Sequence, residues 1–238
     1  MADGVYVTLG RQAGLMREMA AIAQNVANAS TTGYRAGGVL FSEFVADRGP
    51  GRASVSMARA AGVTTQSRQG ALTPTGGTLD LAIEGEGFFL VDRDGAERLT
   101  RAGAFTAGPD GVVLTSDGHA LLDAGGAPVL LPAGTTSIHV GADGTLSADG
   151  APVAQIAVVV PPDPSRMRRD AGTRFDAPDG WVPVETPRVL QGFLEASNVD
   201  PVTEIARMVA VQNAYELGQS FLDAEDRRLK SVNRLLDQ

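Results

Sequence analysis

Apolar residues recur at three- and four-residue steps along both ends of this 238-residue chain, and that spacing restricts the ends to helices with one covered side. Met208, Tyr215, Leu222, Leu229 and Leu236 stand at heptad intervals, the intermediate steps add Val211 and Val232, and Gly218 and Glu225 break the row. Near the N-terminus Val5, Leu9, Gln12, Met16, Met19, Ala23 and Val26 form a matching series with Gln12 as its polar member, widened by Leu15 and Ile22. The pattern predicts helices over 5–29 and 200–236. Residues 28–33, Asn-Ala-Ser-Thr-Thr-Gly, favour turns and end the first. Asp200 caps the second, with Pro201 at its first position. At 1.5 Å per residue the helices measure about 36 Å and about 54 Å. A seam on the longer helix then outruns what one small domain covers, so the expectation is cover by other chains. The alternative is an intramolecular hairpin of the two helices. Gly10 and Gly14 each cost the first helix about 1 kcal/mol, so it depends on packing.

Between the ends the period changes. Leu79 to Ile83 alternates, and short apolar runs follow at 88–91, 112–114, 129–131, 138–140, 156–160, 181–184 and 189–193. Asp-Gly pairs at Asp94, Asp110, Asp117, Asp143 and Asp149 separate several of these runs, each suited to a turn that needs positive φ. Residues 31–78, rich in Gly, Ala, Ser and Thr after a short apolar patch, have no period and read as an extended connector. The resulting fold class is α+β, with long, coiled-coil-like, tube-forming terminal helices flanking a central antiparallel β-rich domain. Its segments are an N-terminal helix (1–30), the connector (31–78), the β domain (79–193), and a linker with the C-terminal helix (194–238).

Composition narrows the function classes. A net charge of −8 with no Lys/Arg block disfavours nucleic acid, and Arg166, Arg168 and Arg169 read as a solvated turn. The absence of cysteine removes disulfides, thiolate catalysis and Cys-ligated zinc. His119 and His139 have no neighbouring ligand or relay partner at a working spacing. Gly85-Glu86-Gly87 precedes a strand, whereas a phosphate cradle needs a helix N-terminus. No catalytic, cofactor-binding or metal-ligating set emerges. Arg11, Arg17 and Glu18 interrupt any signal-peptide core, and no apolar run approaches a membrane span. The expectation is a protein with neither a cleaved leader nor membrane insertion. A soluble β-domain ligand binder or hydrolase with a helical hairpin is the rival from another class.

Specific strings add a resemblance. Asn25-Val26-Ala27-Asn28-Ala29-Ser30-Thr31-Thr32-Gly33-Tyr34 resembles the N-terminal signature of the bacterial flagellar rod and hook family. Residues 79–89 and Thr100-Arg101-Ala102-Gly103-Ala104-Phe105 resemble its central strings, and Ser197-Asn198-Val199-Asp200 with Gln212-Asn213-Ala214-Tyr215-Glu216 its C-terminal one. The length and the opening Tyr6-Val7-Thr8-Leu9-Gly10-Arg11-Gln12 look most like the proximal rod members, the distal rod members being next. The resemblance implies a structural subunit, not an enzyme, exported uncleaved by the flagellar type III apparatus into a rod across the periplasm. It further implies that Leu9, Met16, Met19, Ile22 and Val26 on one helix, and Met208, Leu222, Leu229, Val232 and Leu236 on the other, pack against neighbouring rod subunits. Asn25, Asn28, Thr32, Gly33 and Tyr34 would shape the exit of the first helix. Ser197, Asn198 and Asp200 would shape the start of the second, with Tyr215 along it.

Overall fold

Both seams fold as their spacing dictates: α1 spans Ala2–Ala27 and α2 spans Pro201–Leu236. The computed structural model describes residues 2–46 and 55–236. Two units divide the chain, one of Met1–Ala27, Ala36–Gln66 and Asp200–Gln238, the other of Asn28–Arg35 and Ser67–Val199.

In the first unit α1 and α2 pack on each other. Gln12 bonds the Tyr215 carbonyl, Glu18 pairs with Arg207, and Asn25 bonds Glu204, so the partner's number falls as the helix number rises. The pair is antiparallel. The helical hairpin that stood as the alternative therefore forms, and it covers part of each seam inside the molecule: Ile22 and Val211 are buried, while Leu9, Met16 and Ala23 stay exposed. A long apolar row finds the nearest complementary row, and here that row is tethered to the same chain. The same register sets Ala2 opposite a position near 225, so about ten residues of α2 run some 15 Å past the start of α1.

A two-stranded antiparallel ribbon completes this unit, Gly37–Ala46 against Val55–Thr65, with a register shift at Leu40/Phe41. Composition alone predicts an unpaired connector here. Backbone pairing needs no apolar period, so a Gly- and Ala-rich stretch forms a ladder without announcing it.

The second unit is antiparallel β throughout its named strands. Its main sheet has nine strands. Seven run in the order Arg168–Arg169, Arg174–Asp176, Ala96–Thr100, Phe88–Arg93, Ala120–Leu121, Val113–Thr115, Phe105–Ala107, while Val158–Val160 also pairs with Phe88–Arg93 and carries Val182–Pro183. A three-stranded sheet (Ile138–Val140, Thr145–Ala148, Ala151–Gln155) and two small pairs, Val189–Gln191 with Leu81–Ile83 and Phe193–Glu195 with Leu72–Pro74, accompany it.

The strand Phe88–Arg93 explains the core. Phe89 and Val91 enter one apolar cluster with Leu81, Ile83, Leu121 and Leu146, whereas Leu90 enters a second with Leu99, Val159 and Phe175. Both faces are covered, which is why this strand reads as an unbroken apolar run. The Asp-Gly pairs turn as expected. Asp94 and Gly95 both have positive φ, as do Asp149 and Gly150, the backbone that a tight two-residue hairpin requires.

Candidate functional site

Two arrangements carry the functional argument, one in each unit. In the helical unit the exceptions in the two seams meet. Gln12, the polar member of the first row, donates from Nε2 to the Tyr215 carbonyl at 2.9 Å. A side chain at Gly218, a break in the second row, would put its Cβ 2.5 Å from that same Nε2. The glycine opens the space that the buried glutamine fills. Thr8, Arg11, Leu15, Leu217 and Phe221 line a groove of about 340 Å³ around the pair.

The positions named from sequence distribute unevenly. Ile22 is buried, and Met19, Val26, Met208 and Leu222 are half-buried. Leu9 and Met16 stand exposed. Leu229, Val232 and Leu236 continue α2, but their side chains lie outside the described residues. An apolar row absent from the sequence reading faces water instead: Val202 (77 %), Ile205 and Val209, with Leu217 (72 %) and Phe221 on another side of α2. Its signal was present as a second three-four spacing, out of phase with the first.

Asn25 ties the helical unit together. Its Nδ2 donates to the Gly37 carbonyl at 2.8 Å and to Glu204 at 3.1 Å, while its Oδ1 accepts from the Gly37 amide at 2.8 Å. The residue therefore joins α1, the ribbon and α2 rather than only shaping a helix exit. Asp200 caps α2 as expected: its carboxylate accepts from the Val202 amide at 3.0 Å and from the Thr203 hydroxyl at 2.6 Å.

In the β unit the remaining signature residues converge on a buried charge cluster. Glu195, 1 % exposed, accepts from Arg35 at 2.9 Å through one oxygen and from Arg101 at 3.1 Å through the other. The Gly70 amide donates to the first oxygen at 3.1 Å. Arg101 also donates to the Ile83 carbonyl at 3.1 Å and to that of Gly85 at 2.6 Å, and Arg35 to the Ser67 and Arg68 carbonyls. Burial dominates both guanidiniums: it pulls Arg101 down to about 10 against the attraction of Glu195, and it lowers Arg35 in the same way. A carboxylate between two guanidiniums, with backbone groups taking further donors, is the arrangement in which buried charge is tolerated.

The backbone closes around this cluster. Gly33, at φ +69°, donates to the Glu195 carbonyl at 2.7 Å, and a Cβ there would lie 2.3 Å from the Ala102 nitrogen. Only glycine fits. Asn28 accepts from the Thr31 amide and hydroxyl, and Thr32 is half-buried. The Asn198 amide donates to the Tyr34 carbonyl at 3.2 Å and its side chain to the Arg68 carbonyl at 2.8 Å, while the Ser197 hydroxyl accepts from the Val199 amide.

Arg169 corrects a further expectation. It is no solvated turn residue, for its guanidinium lies over the rings of Tyr34 (4.5 Å) and Phe175 (4.8 Å) and donates to the Arg35 carbonyl. Arg166, paired with Asp179 at 3.0 Å, and Arg168 are the exposed members of that run. Sequence reasoning named Gly33, Tyr34 and Asn198 but missed Arg35, Arg101 and Glu195, although each lies within or beside a quoted string. Charge in a signature was the available signal.

Among the described residues no group of His, Asp and Glu gathers as a metal site, and no helix is long and apolar enough to cross a membrane. Comparison with known proteins gives two family matches. Residues 190–235 match the C-terminal region of flagellar basal body rod FlgEFG proteins, and residues 82–148 match the D1 domain of flagellar hook protein FlgE/F/G. The chain is 38% identical over 231 residues to the flagellar basal-body rod protein FlgF of Caulobacter vibrioides, covering 94% of this chain and 93% of that one. It is 37% identical to FlgF of Mesorhizobium japonicum, covering 98% of each, and 36% identical to FlgF of Rhizobium meliloti, covering 99% and 98%.

Proposed function

The chain belongs to the flagellar basal-body rod proteins, on their FlgF-like branch, and from that premise we propose that it is a rod subunit that joins its neighbours through the helical unit. The observation that carries this is the apolar surface left on α2 after its seam is filled: Val202, Ile205, Val209, Leu217 and Phe221 stand in water on a helix already packed along another side. Burying one such side chain is worth about 1.5–3 kcal/mol, so a row of them is a strong drive to associate.

In this reading Leu9 and Met16 contribute directly to subunit contacts. Met19, Ile22, Val26, Met208 and Leu222 act by holding the helix pair in shape, and the tail bearing Leu229, Val232 and Leu236 reaches past the pair to the next subunit. Other proximal and distal rod proteins are the partners, and the type III export apparatus delivers the uncleaved chain to a rod spanning the periplasm. The work is mechanical, not catalytic: coiled-coil-like packing of terminal helices builds a tube that transmits torque and leaves a channel for export. The residues of the buried charge cluster hold the β unit together.

The test is the double substitution Leu9→Asp with Met16→Asp in the native bacterium. Both sites are exposed, so the purified chain keeps its fold, while its recovery in isolated basal bodies and swimming are lost. Normal swimming with normal recovery would refute the proposal.

A further inference from the structure

Carboxylates crowd the β unit. Residues 28–35 and 67–199 hold 17 Asp and Glu against 10 Arg and no Lys. Arg35, Arg101 and Arg174 are buried, whereas Glu195 is the one buried acid of this unit, so its surface is more acidic than the count alone. Such a surface draws in cations and turns away a second copy of itself.

A groove of about 220 Å³ opens on this unit beside the strand Val158–Val160 and the segment 181–187. Small-molecule pockets hold roughly 300–1,000 Å³, so this one suits a few side chains of a peptide rather than a cofactor. Val158, Val159, Trp181, Pro183, Val184 and Pro187 make its apolar walls. Trp181 is held in place by its Nε1, which donates to Glu97 at 2.8 Å. With its polar edge satisfied, the indole offers apolar and cationic contact.

Two exposed carboxylates, Asp143 and Glu185, stand at the rim, and no Lys or Arg lines the groove. Glu185 has no ion pair or hydrogen bond among the described residues. The arginines nearest in sequence are committed elsewhere, Arg166 to Asp179 at 3.0 Å and Arg188 to Glu84 at 3.1 Å. An apolar trough with an acidic lip and no cation of its own is complementary to a long hydrocarbon stem that ends in positive charge.

We propose that this groove receives an extended basic segment of a different protein, an Arg or Lys flanked by apolar residues, the cation lying against Trp181 and the Glu185 carboxylate. The apolar neighbours rest on Val184 and Pro187. A second copy is the wrong occupant, because its β unit carries the same sign of charge. The groove lies outside the helix pair, so it adds to the rod reading a partner that the terminal helices do not hold.

The probe is the peptide acetyl-Gly-Val-Arg-Val-Gly-amide, titrated into the full-length chain, with citrulline or Glu replacing its Arg as controls. Trp181 is the single tryptophan and lines the groove, so its fluorescence reads occupancy. A saturable change is expected with the arginine peptide. Citrulline, added salt and Glu185→Gln each weaken it severalfold, while Glu185→Lys switches preference to the Glu peptide. Glu185 is exposed, and both variants should keep the parental urea midpoint. No saturable change, equal binding of the arginine and citrulline peptides, or parental affinity in Glu185→Gln would each overturn the inference. So would self-association of the purified chain that Glu185→Lys abolishes, since that would give the groove to a second copy. None of these outcomes touches the rod reading, which fails instead if the unsubstituted chain is absent from basal bodies.

Discussion

The two units treat charge and apolar surface in opposite ways. The β unit buries a carboxylate and two guanidiniums beside apolar clusters whose members are almost fully covered. The helical unit keeps most of its charges in water and leaves Val202 and Leu217 there as well. A fold that encloses even its ions is complete as a single chain. A helix pair that covers part of one seam leaves another apolar row in water, the surface that the proposed rod contacts would cover. The difference separates what holds the chain's fold together from the surface that the proposal assigns to contacts between subunits.

The sharpest way to break that contrast is to empty the charge cluster. In Glu195→Ala both Arg35 and Arg101 lose their counter-ion in a buried setting, a change that costs about 3–5 kcal/mol. Trp181 is the single tryptophan and lies in the β unit, so its fluorescence in urea reports that unit alone. A loss below about 1 kcal/mol would mean that the cluster is not what completes the unit. Comparable in size is Gly33→Ala. Its positive φ alone costs about 1–3 kcal/mol, and the Cβ also meets backbone that cannot move aside. The same fluorescence transition shifts down by at least the cost of the φ, and an unmoved midpoint would show that the backbone does not close there.

Much of this architecture is legible from residue order. The spans of α1 and α2, the Asp200 cap, the Asp-Gly turns and the alternation near Leu81 follow from local spacing and turn chemistry, which depend on neighbours in sequence. What stayed hidden depends on neighbours in space. Ala96–Thr100 and Arg174–Asp176 are strands with charged members, and they belong to the sheet because Leu99 and Phe175 reach one core. Glu195 meets Arg35 across 160 positions, and no spacing rule reaches that far. Residue order leaves the helix pairing open, and what decides it is that Gln12 and Gly218, each a defect in its own row, fit each other.

Within the helical unit the expected effects are smaller. Asn25→Ala removes the bonds to Gly37 and Glu204 and leaves a buried carboxylate short of a donor, about 1–3 kcal/mol. Hydrogen exchange should show α1 and the ribbon opening while amides of the main sheet keep their protection. Equal loosening in both units would erase the boundary between them. Smaller again is Ile205→Asp, at a site half in water, which changes the stability of the purified chain by no more than about 0.5 kcal/mol. Its place is in the comparison: a loss of rod incorporation with an unchanged urea midpoint separates association from folding.

Gly218→Ala has the smallest net effect and gives the finest test of the helix pair. Alanine in a helix interior gains about 1 kcal/mol over glycine. The new methyl, however, would stand 2.5 Å from Gln12 Nε2 and 2.9 Å from its Cδ, so the glutamine must swing away and lose its bond to the Tyr215 carbonyl, about 0.5–1.5 kcal/mol. The two terms nearly cancel, and the thermal midpoint moves little. The companion Gln12→Ala with Gly218→Ala removes the collision and keeps the propensity gain, so it should melt higher than Gly218→Ala alone. A double variant that melts lower would show that Gln12 and Gly218 do not face each other, and with that the register of the whole pair would fail.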